Sequence, residues 1–182
     1  DVKLMLDLIQ RLKTLIDKML VLSRKNEILE KIERLNLVDI IDEALLLVDY
    51  KLKTSNIKIQ KKYAETAEFY ANISKWSIIH CFVNILLNAI DAMEKIDNRI
   101  EIDIISKDNF IYLEFVDYGE GITEQNKKKL FTPFFTTKQI GKGTGLGLYI
   151  IKQIIDAHKG EIFIDNAETH RGAKVILKLP QA

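Results

Sequence analysis

Residues 84–92 read Asn-Ile-Leu-Leu-Asn-Ala-Ile-Asp-Ala, and this stretch decides how the rest of the chain is interpreted. Asn84, Asn88 and Asp91 are spaced i, i+4, i+7, so they form one polar stripe on an otherwise apolar helix. Asparagine is a poor helix former, and a merely solvated face usually carries Lys or Glu. Amide oxygens and one carboxylate at this spacing can hold Mg²⁺ alongside phosphate oxygens. A solvated helix face is the alternative.

The next pattern towards the C-terminus is Asp117-Tyr118-Gly119-Glu120-Gly121, at the end of a predicted strand. The two glycines permit a tight turn and a close approach of the backbone to a ligand. Asp117 is left at the mouth of the strand, where its carboxylate can accept a hydrogen bond from an exocyclic amine such as that of adenine. The same pattern also occurs in ordinary turns.

Residues 131–138 read Phe-Thr-Pro-Phe-Phe-Thr-Thr-Lys and contain three of the eight phenylalanines of the chain. The stretch is too irregular for a strand, and the phenylalanines predict a small hydrophobic plug that anchors a loop. Thr136, Thr137 and Lys138 follow directly and offer two hydroxyl groups and a cation, which are useful near phosphates.

The fourth pattern, Gly-Lys-Gly-Thr-Gly-Leu-Gly-Leu over residues 141–148, opens straight into a predicted helix. Closely spaced glycines let backbone N–H groups converge on an anion, and a helix N-terminus adds positive potential. The pattern matches neither a P-loop nor a Rossmann turn. A flexible linker is disfavoured because Leu146, Leu148 and Ile150 anchor the segment at once.

The N-terminal region predicts a long helix over residues 2–24. Its apolar residues follow the 3-4-3-4-3 spacing of a helical bundle. A lone helix cannot bury such a stripe. It packs on its own domain, on a missing upstream helix or on a second chain, and residues 26–34 are charged and connector-like.

The remaining periodicities alternate between helix and strand. Together they predict an α/β (α+β) sandwich, in which helices cover one face of a mixed, mostly antiparallel sheet. The predicted helices are 37–53, 75 to about 95 with Ser74 as N-cap, and 148–157; the predicted strands are 57–63 and 68–71 around a turn, 99–106, 110–117, 160–166 and 173–179.

Composition excludes several classes of protein and favours a folded globular domain. The chain has 182 residues, 47% hydrophobic and 29% charged, and a net charge of +1. This balance excludes disorder by composition and gives no electrostatic reason to bind nucleic acid. The single cysteine, Cys81, favours a reducing compartment, and no stretch is long and apolar enough to span a bilayer. The chain begins at Asp1, so we expect it to be a piece of a longer protein.

In this order and spacing, the four patterns resemble the ATP-binding domain of bacterial sensor histidine kinases, which act in two-component phosphorelay systems. That domain belongs to the GHKL superfamily, shared with gyrase, mismatch-repair ATPases and one class of heat-shock chaperone. The motifs cover residues 84–148, and the surrounding pattern matches from about 37 to 180.

The resemblance implies a Bergerat-type ATP-binding fold. Residues 1–34 would be the second helix of a dimerisation hairpin plus a connector, and residues 35–182 the catalytic domain, with a mobile ATP lid at about 118–146. ATP is the implied substrate and Mg²⁺ the implied metal, held chiefly by Asn88 with help from Asn84. Phe131, Phe134 and Phe135 would seat the lid.

The implied catalytic residues are Asn84, Asn88 and Lys138. The implied nucleotide site joins the polar helix, the base-binding turn and the phosphate-binding loop. Its members are Asn84, Asn88, Asp91, Asp117, Gly119, Gly121, Thr136, Thr137, Lys138, Gly143, Thr144, Gly145, Leu146, Gly147 and Leu148.

Two features depart from the family pattern. The phosphoacceptor histidine is absent, because His80, His158 and His170 do not lie in a suitable helix, and His158 and His170 are interpreted as surface or helix-end residues. We expect the acceptor upstream of residue 1. In addition, Gly172-Ala173 stands where Gly-Thr is common in the family.

The resemblance also implies partners: a homodimer formed through helix 2–24 and its missing upstream helix, and the receiver domain of a response regulator. We expect a cytoplasmic segment whose only membrane contacts come from parts absent here. The alternatives are a gyrase- or chaperone-type ATPase, a serine kinase of the anti-sigma type, and a nucleotide-binding regulator without activity. An efficient ATPase is disfavoured because Asn84 replaces the water-activating Glu of those relatives, and an amide is no general base.

Overall fold

The structure is a computed structural model that describes residues 31–64, 66–93, 98–138, 143–168 and 170–182. The helix predicted over 2–24 and residues 26–30 of the predicted connector lie outside the described residues. Within them the elements follow one another as β1 (Ile32–Asn36), α1 (Leu37–Thr54), β2 (Lys58–Lys61), β3 (Tyr70–Ser74), α2 (Lys75–Ala92), β4 (Arg99–Lys107), β5 (Phe110–Asp117), α3 (Glu124–Lys127), α4 (Gly147–Ala157), β6 (Glu161–Asn166) and β7 (Ala173–Pro180).

A five-stranded sheet carries the domain, with strand order β2-β4-β5-β7-β6. The β2–β4 pair is parallel and the other three pairs are antiparallel. Alternate residues of the central strands, such as Ile102 on β4 and Leu113 on β5, are fully buried beneath the helices. Because α2 packs on β5 and α4 on β6, the helices form a layer on one face of the sheet. The predicted α/β sandwich is therefore confirmed.

One prediction about this part of the chain was wrong. The connector predicted up to residue 34 ends in a strand, because β1 pairs antiparallel with β3 in a separate two-stranded sheet. The strands predicted on either side of a turn exist as β2 and β3, but they do not pair with each other. β2 instead joins the main sheet in parallel with β4. Strand alternation is a local property, whereas the choice of partner is made by the whole fold.

The start of α2 shows how the fold replaces a local cap. Ser74 is the N-cap residue, as predicted, but its side chain makes no capping hydrogen bond. Its backbone N–H donates to His158 Nε2 at 2.9 Å, and His158 Nδ1 lies 2.7 Å from the carbonyl oxygen of Ile154. Nδ1 therefore carries the proton, and burial lowers the pKa of His158. His158 is at a helix end, as predicted, but a surface position is wrong because the imidazole is buried.

The described helices also bear on membrane association. None of those in the described ranges is both long enough and apolar enough to span a membrane.

Candidate functional site

The polar stripe of α2 faces the segment that follows the phenylalanines. Lys138 Nζ lies 2.6 Å from Asp91 Oδ2 and 3.3 Å from Asn88 Oδ1. Lys51, from the last turn of α1, places its Nζ 2.5 Å from Asp91 Oδ1. The stripe is therefore a partly exposed contact point between two helices and a loop, and a purely solvated face does not describe it.

The charge of Asp91 is set by these two lysines. Partial burial raises the pKa of Asp91, but the hydrogen bonds and positive charges of Lys138 and Lys51 outweigh burial and bring the pKa below its usual value. Asp91 is therefore a carboxylate at neutral pH. Lys51 was missed by the sequence analysis, because it is 40 positions away from Asp91 and nothing in its local pattern indicates that partner.

The first turn of α4 lies against the same stripe. A Cβ built on Gly147 would lie 3.8 Å from Asn84 Oδ1 and 4.0 Å from Asn88 Nδ2. The helix begins here, with Ile150 N donating to the carbonyl oxygen of Leu146 at 2.9 Å. The positive end of α4 thus meets the two asparagines. The helix N-terminus predicted to attract an anion and the asparagines predicted to hold Mg²⁺ therefore lie together.

The residues at the start of α4 hold the preceding glycine loop in place in two ways, by apolar packing and by a side-chain hydrogen bond. Leu146 is buried and Leu148 packs against the core, so both anchor the loop through their side chains. Thr144 Oγ1 accepts from Leu146 N at 3.2 Å and shapes the turn before α4.

The phenylalanine segment and the glycine loop lie side by side. A Cβ on Gly143 would lie 2.6 Å from Thr136 Oγ1, and one on Gly145 would lie 2.3 Å from the carbonyl carbon of Phe134. Both Gly145 (φ 66°) and Phe134 (φ 67°) adopt the left-handed conformation. The two stretches that sequence reasoning placed near the phosphates are therefore neighbours. Thr137 is exposed between them.

The predicted plug is only partly correct. Phe131 packs against the core, and Phe135 is half-buried. Phe134 is 56% exposed. Its backbone, and not its ring, makes the close approach to Gly145.

Asp117 forms a second group of contacts at the end of β5. Its Oδ1 accepts from Gly119 N at 2.9 Å and from Ala173 N at 3.0 Å. No described residue donates to its Oδ2. Burial raises the pKa of Asp117, and the two backbone N–H groups and His170 oppose that rise only in part. The buried carboxylate therefore has one oxygen fixed and the other available to a donor such as an amine. Ala173, which stands where threonine is common in the family, holds Asp117 through its backbone N–H. This hydrogen bond does not depend on a threonine side chain.

His170 and Tyr118 flank this carboxylate. Their rings stack 3.6 Å apart at an interplanar angle of 6°, and His170 Nε2 lies 3.1 Å from the carbonyl oxygen of Asp117. His170 was predicted to be a surface or helix-end residue, and its ring is half-buried against Tyr118. Tyr118 also donates its hydroxyl to Glu101 Oε1 and accepts from Arg99 Nη2, both at 2.7 Å. None of these partners was predicted.

Helix α2 connects the two groups of contacts. Glu120 N donates to the carbonyl oxygen of Ala92 at 3.2 Å, directly after Asp91. A Cβ on Gly119 would lie 2.5 Å from the same oxygen, so only glycine allows this approach. From Asn84 to Ala92 the helix rises about 12 Å. The described residues thus lie along one elongated region. We call its Asp117 end the base-binding end and its Asn84 end the phosphate-binding end, after the roles that the sequence patterns predict.

The donor set at the phosphate-binding end suits a divalent cation that keeps several waters or phosphate oxygens. Among the described residues, no three or more His, Cys, Asp or Glu side chains are grouped to hold a metal. The oxygens of Asn88 and Asp91 nevertheless converge on one cation, the ammonium group of Lys138. Amide and carboxylate oxygens are acceptable ligands for Mg²⁺.

Comparison with known sequences decides the family. A sequence model described as "Histidine kinase-, DNA gyrase B-, and HSP90-like ATPase" matches residues 75–182, which include all four motifs. The chain belongs to this family. Membership of this family supports ATP as the ligand of the domain.

Individual relatives lie on the kinase side of this family. Sporulation kinase D of Bacillus subtilis (strain 168) is 30% identical over 172 residues, which are 94% of this chain and 33% of that protein. Sporulation kinase C of the same organism is 31% identical over 172 residues, covering 94% of this chain and 39% of the relative. The chain thus spans between one third and two fifths of these two relatives.

Solved structures agree with the sequence relatives. The catalytic domain of histidine kinase ThkA superposes with a TM-score of 0.72 at 30% identity, covering 84% of this chain and 97% of that domain. ThkA in complex with response regulator protein TrrA gives a TM-score of 0.77 at 26% identity, over 100% of this chain and 50% of that one. The sensor histidine kinase resemblance and the fold are both confirmed.

Proposed function

We propose that this chain binds Mg-ATP and is the catalytic part of a sensor histidine kinase. The γ-phosphoryl group passes to a histidine on an upstream helix and from there to an aspartate of a response regulator. The supporting observation is the convergence of Lys138, Asn88 and Asp91 with the first turn of α4. In this family setting, that arrangement is a binding place for a magnesium-bound triphosphate.

The base-binding end selects adenine. Asp117 Oδ2 accepts the exocyclic amine, while Oδ1 stays fixed by Gly119 N and Ala173 N. The backbone at Gly119 and Gly121 lines the base. Because two backbone N–H groups already hold Oδ1, the carboxylate needs no reorganisation when the nucleotide enters.

The phosphate-binding end positions and neutralises charge. Asn88 and Asn84 would hold Mg²⁺, which neutralises phosphate charge when it is bound. Thr136, Thr137 and Lys138 contact the phosphates from one side, and the backbone from Gly143 to Leu148 does so from the other. Lys138 exchanges Asp91 for a phosphate oxygen. Phosphoryl transfer needs mainly such positioning, so no general base from this chain is required.

Transfer of the phosphoryl group breaks one bond and forms another. The bond between the γ-phosphorus and the β,γ-bridging oxygen breaks, and a bond from the imidazole nitrogen to the same phosphorus forms. ADP leaves with the bridging oxygen, and the proton of the imidazole passes to solvent. The acceptor helix and helix 2–24 would build a dimeric four-helix bundle, which supplies this imidazole in the intact kinase.

The test uses γ-labelled ATP and Mg²⁺ with this chain and, as a separate piece, the helical hairpin of the parent protein. We expect acid-labile, alkali-stable label on the hairpin, and loss of that label with Asn88→Ala. Asn72→Ala, at an exposed position of β3, is the matched control and retains labelling. ATP binding without transfer and with little hydrolysis would instead show a nucleotide-binding regulator, and rapid hydrolysis without transfer a GHKL-type ATPase.

A further inference from the structure

The first part of the predicted lid is fastened to the end of the sheet. We call residues 119–127 the proximal segment. Asn166, the last residue of β6, accepts from Ile122 N through Oδ1 at 2.6 Å and donates through Nδ2 to the carbonyl oxygen of Ile122 at 2.8 Å. One amide side chain thus satisfies both backbone groups of Ile122, as a neighbouring strand would.

Two further contacts join the same parts. Arg171 Nε donates to the carbonyl oxygen of Glu120 at 3.1 Å. Lys127 Nζ lies 2.5 Å from Asp165 Oδ1, although Asp165 is 73% exposed. An exposed ion pair contributes little, so the paired hydrogen bonds of Asn166 are the main attachment.

The glycine motif itself is shaped by this attachment. A Cβ on Gly121 would lie 2.8 Å from Asn166 Oδ1, and Gly121 has φ 74°. A side chain at position 121 would therefore strain the backbone and push Asn166 away from Ile122. The second glycine of the motif is needed for the approach of Asn166 whether or not a base is present.

We propose that Asn166 is a positioning residue for base recognition. It holds the proximal segment in place before the nucleotide binds, so that the backbone at Gly119–Gly121 is preformed next to Asp117. This inference rests on the proposed function, because it assigns Asn166 a part in binding ATP.

An amide suits this attachment, whereas an ionised carboxylate does not. The attachment needs one donor and one acceptor on the same rigid group, which asparagine has and aspartate lacks. Asn166→Asp keeps the size and the acceptor, loses the donor, and sets a carboxylate oxygen against the carbonyl of Ile122. Asn166→Ala removes both hydrogen bonds.

The experiment compares this chain with Asn166→Asp, Asn166→Ala and two controls. Asp165→Asn removes the ion pair with Lys127 and keeps the amide at 166. The double change Asp165→Asn with Asn166→Asp keeps the net charge of Asn166→Ala while losing the attachment. For each we measure ATP affinity by calorimetry, phosphoryl transfer to the hairpin at saturating ATP, and amide exchange at Ile122 without nucleotide.

We expect the dissociation constant of ATP to rise roughly tenfold in Asn166→Asp, Asn166→Ala and the double variant. The transfer rate at saturating ATP stays within about twofold of the parent, because the phosphate-binding end is untouched. Exchange at Ile122 becomes at least about tenfold faster in Asn166→Ala. Asp165→Asn retains the ATP affinity of the parent.

Three outcomes overturn the proposal: unchanged ATP affinity in all variants at position 166, an equal loss of affinity in Asp165→Asn, or Ile122 exchange in the parent as fast as in Asn166→Ala. Failure of the proposed function looks different. The parent chain itself would then bind no ATP or transfer no phosphoryl group, while the exchange at Ile122 still reports on the attachment.

Discussion

Lys138 Nζ lies 2.6 Å from Asp91 Oδ2, and this ion pair joins the lid to the helix that carries the asparagine motif. The same ammonium group is 3.3 Å from Asn88 Oδ1. One lysine therefore contacts the implied magnesium ligand and its charged neighbour at once. In the proposed function, phosphate oxygens enter at this contact.

Replacing Lys138 by methionine tests this placement. Lys138→Met should lower phosphoryl transfer at least about tenfold, because a charge-assisted hydrogen bond to phosphate is lost. Labelling of the hairpin from γ-labelled ATP measures the effect. Lys51→Met is the matched control. It also removes one positive charge that pairs with Asp91, but Lys51 lies on α1 and not in the lid. Equal losses in both variants would show that Lys138 acts only through Asp91.

Asp117 should determine which base is accepted. In Asp117→Asn the carbonyl oxygen keeps the hydrogen bonds from Gly119 N and Ala173 N, so the amide nitrogen takes the place of Oδ2. That nitrogen repels the amine of adenine and attracts a carbonyl oxygen. We expect at least about tenfold weaker ATP binding and a reduced preference for ATP over GTP, measured by competition. An unchanged preference would place the base elsewhere.

The same carboxyl group predicts a pH effect on stability. The pKa of Asp117 is raised in the folded chain, so the folded state holds the proton more tightly than the unfolded chain does. Stability is therefore lost as the pH rises from about 4, the unfolded value, through the raised folded pKa. Asp117→Asn lacks this loss. Urea unfolding between about pH 3.5 and about pH 7, a range that begins just below the unfolded pKa, should show the stability of the variant increasing relative to that of the parent as the pH rises.

His158 predicts the opposite pH dependence. Its pKa is lowered by burial, so the stability of the parent is full above about pH 6.5, the unfolded value, and falls as the pH decreases towards the folded pKa. His158→Leu leaves the buried N–H of Ser74 without its acceptor and should cost about 1–3 kcal/mol at neutral pH. The difference in stability between parent and variant shrinks on acidification, because the parent loses stability as His158 becomes protonated whereas leucine does not titrate. Asn72→Ala, at an exposed position of β3 and without a titrating side chain before or after the change, should show no comparable pH-dependent difference.

Gly172 tests the packing behind Asp117. A Cβ at this position would lie 2.0 Å from the carbonyl oxygen of Asp117, too close for any side chain. Gly172→Ala should therefore displace either the β6–β7 turn or Asp117, with a loss of about 1–3 kcal/mol of stability and weaker ATP binding. Calorimetric unfolding and nucleotide titration measure both. Parent-like values for both would contradict the close approach.

Helices and strands with strong periodicity were predictable. The α1 pattern beginning at Leu37 and the β4–β5 hairpin, with its turn at Asp108 and Asn109, lie within a few residues of their predicted bounds. In these elements the apolar face and the turn residues are close in sequence, so local pattern and global fold agree. The pairing of β1 with β3 was not predictable, because neither strand specifies its partner by alternation alone.

The sequence by itself determined the class of site. Four motifs in a fixed order placed an asparagine helix, a base-binding turn and a glycine loop in one family, and the comparisons agree. Only the tertiary structure decided which side chains serve these motifs: Lys51 on Asp91, Asn166 on Ile122, and His158 on Ser74. The physical reason is distance along the chain. Periodicity and turn chemistry are written within a few residues, whereas these hydrogen bonds join positions at least 40 apart and exist only after the strands and helices have chosen their neighbours.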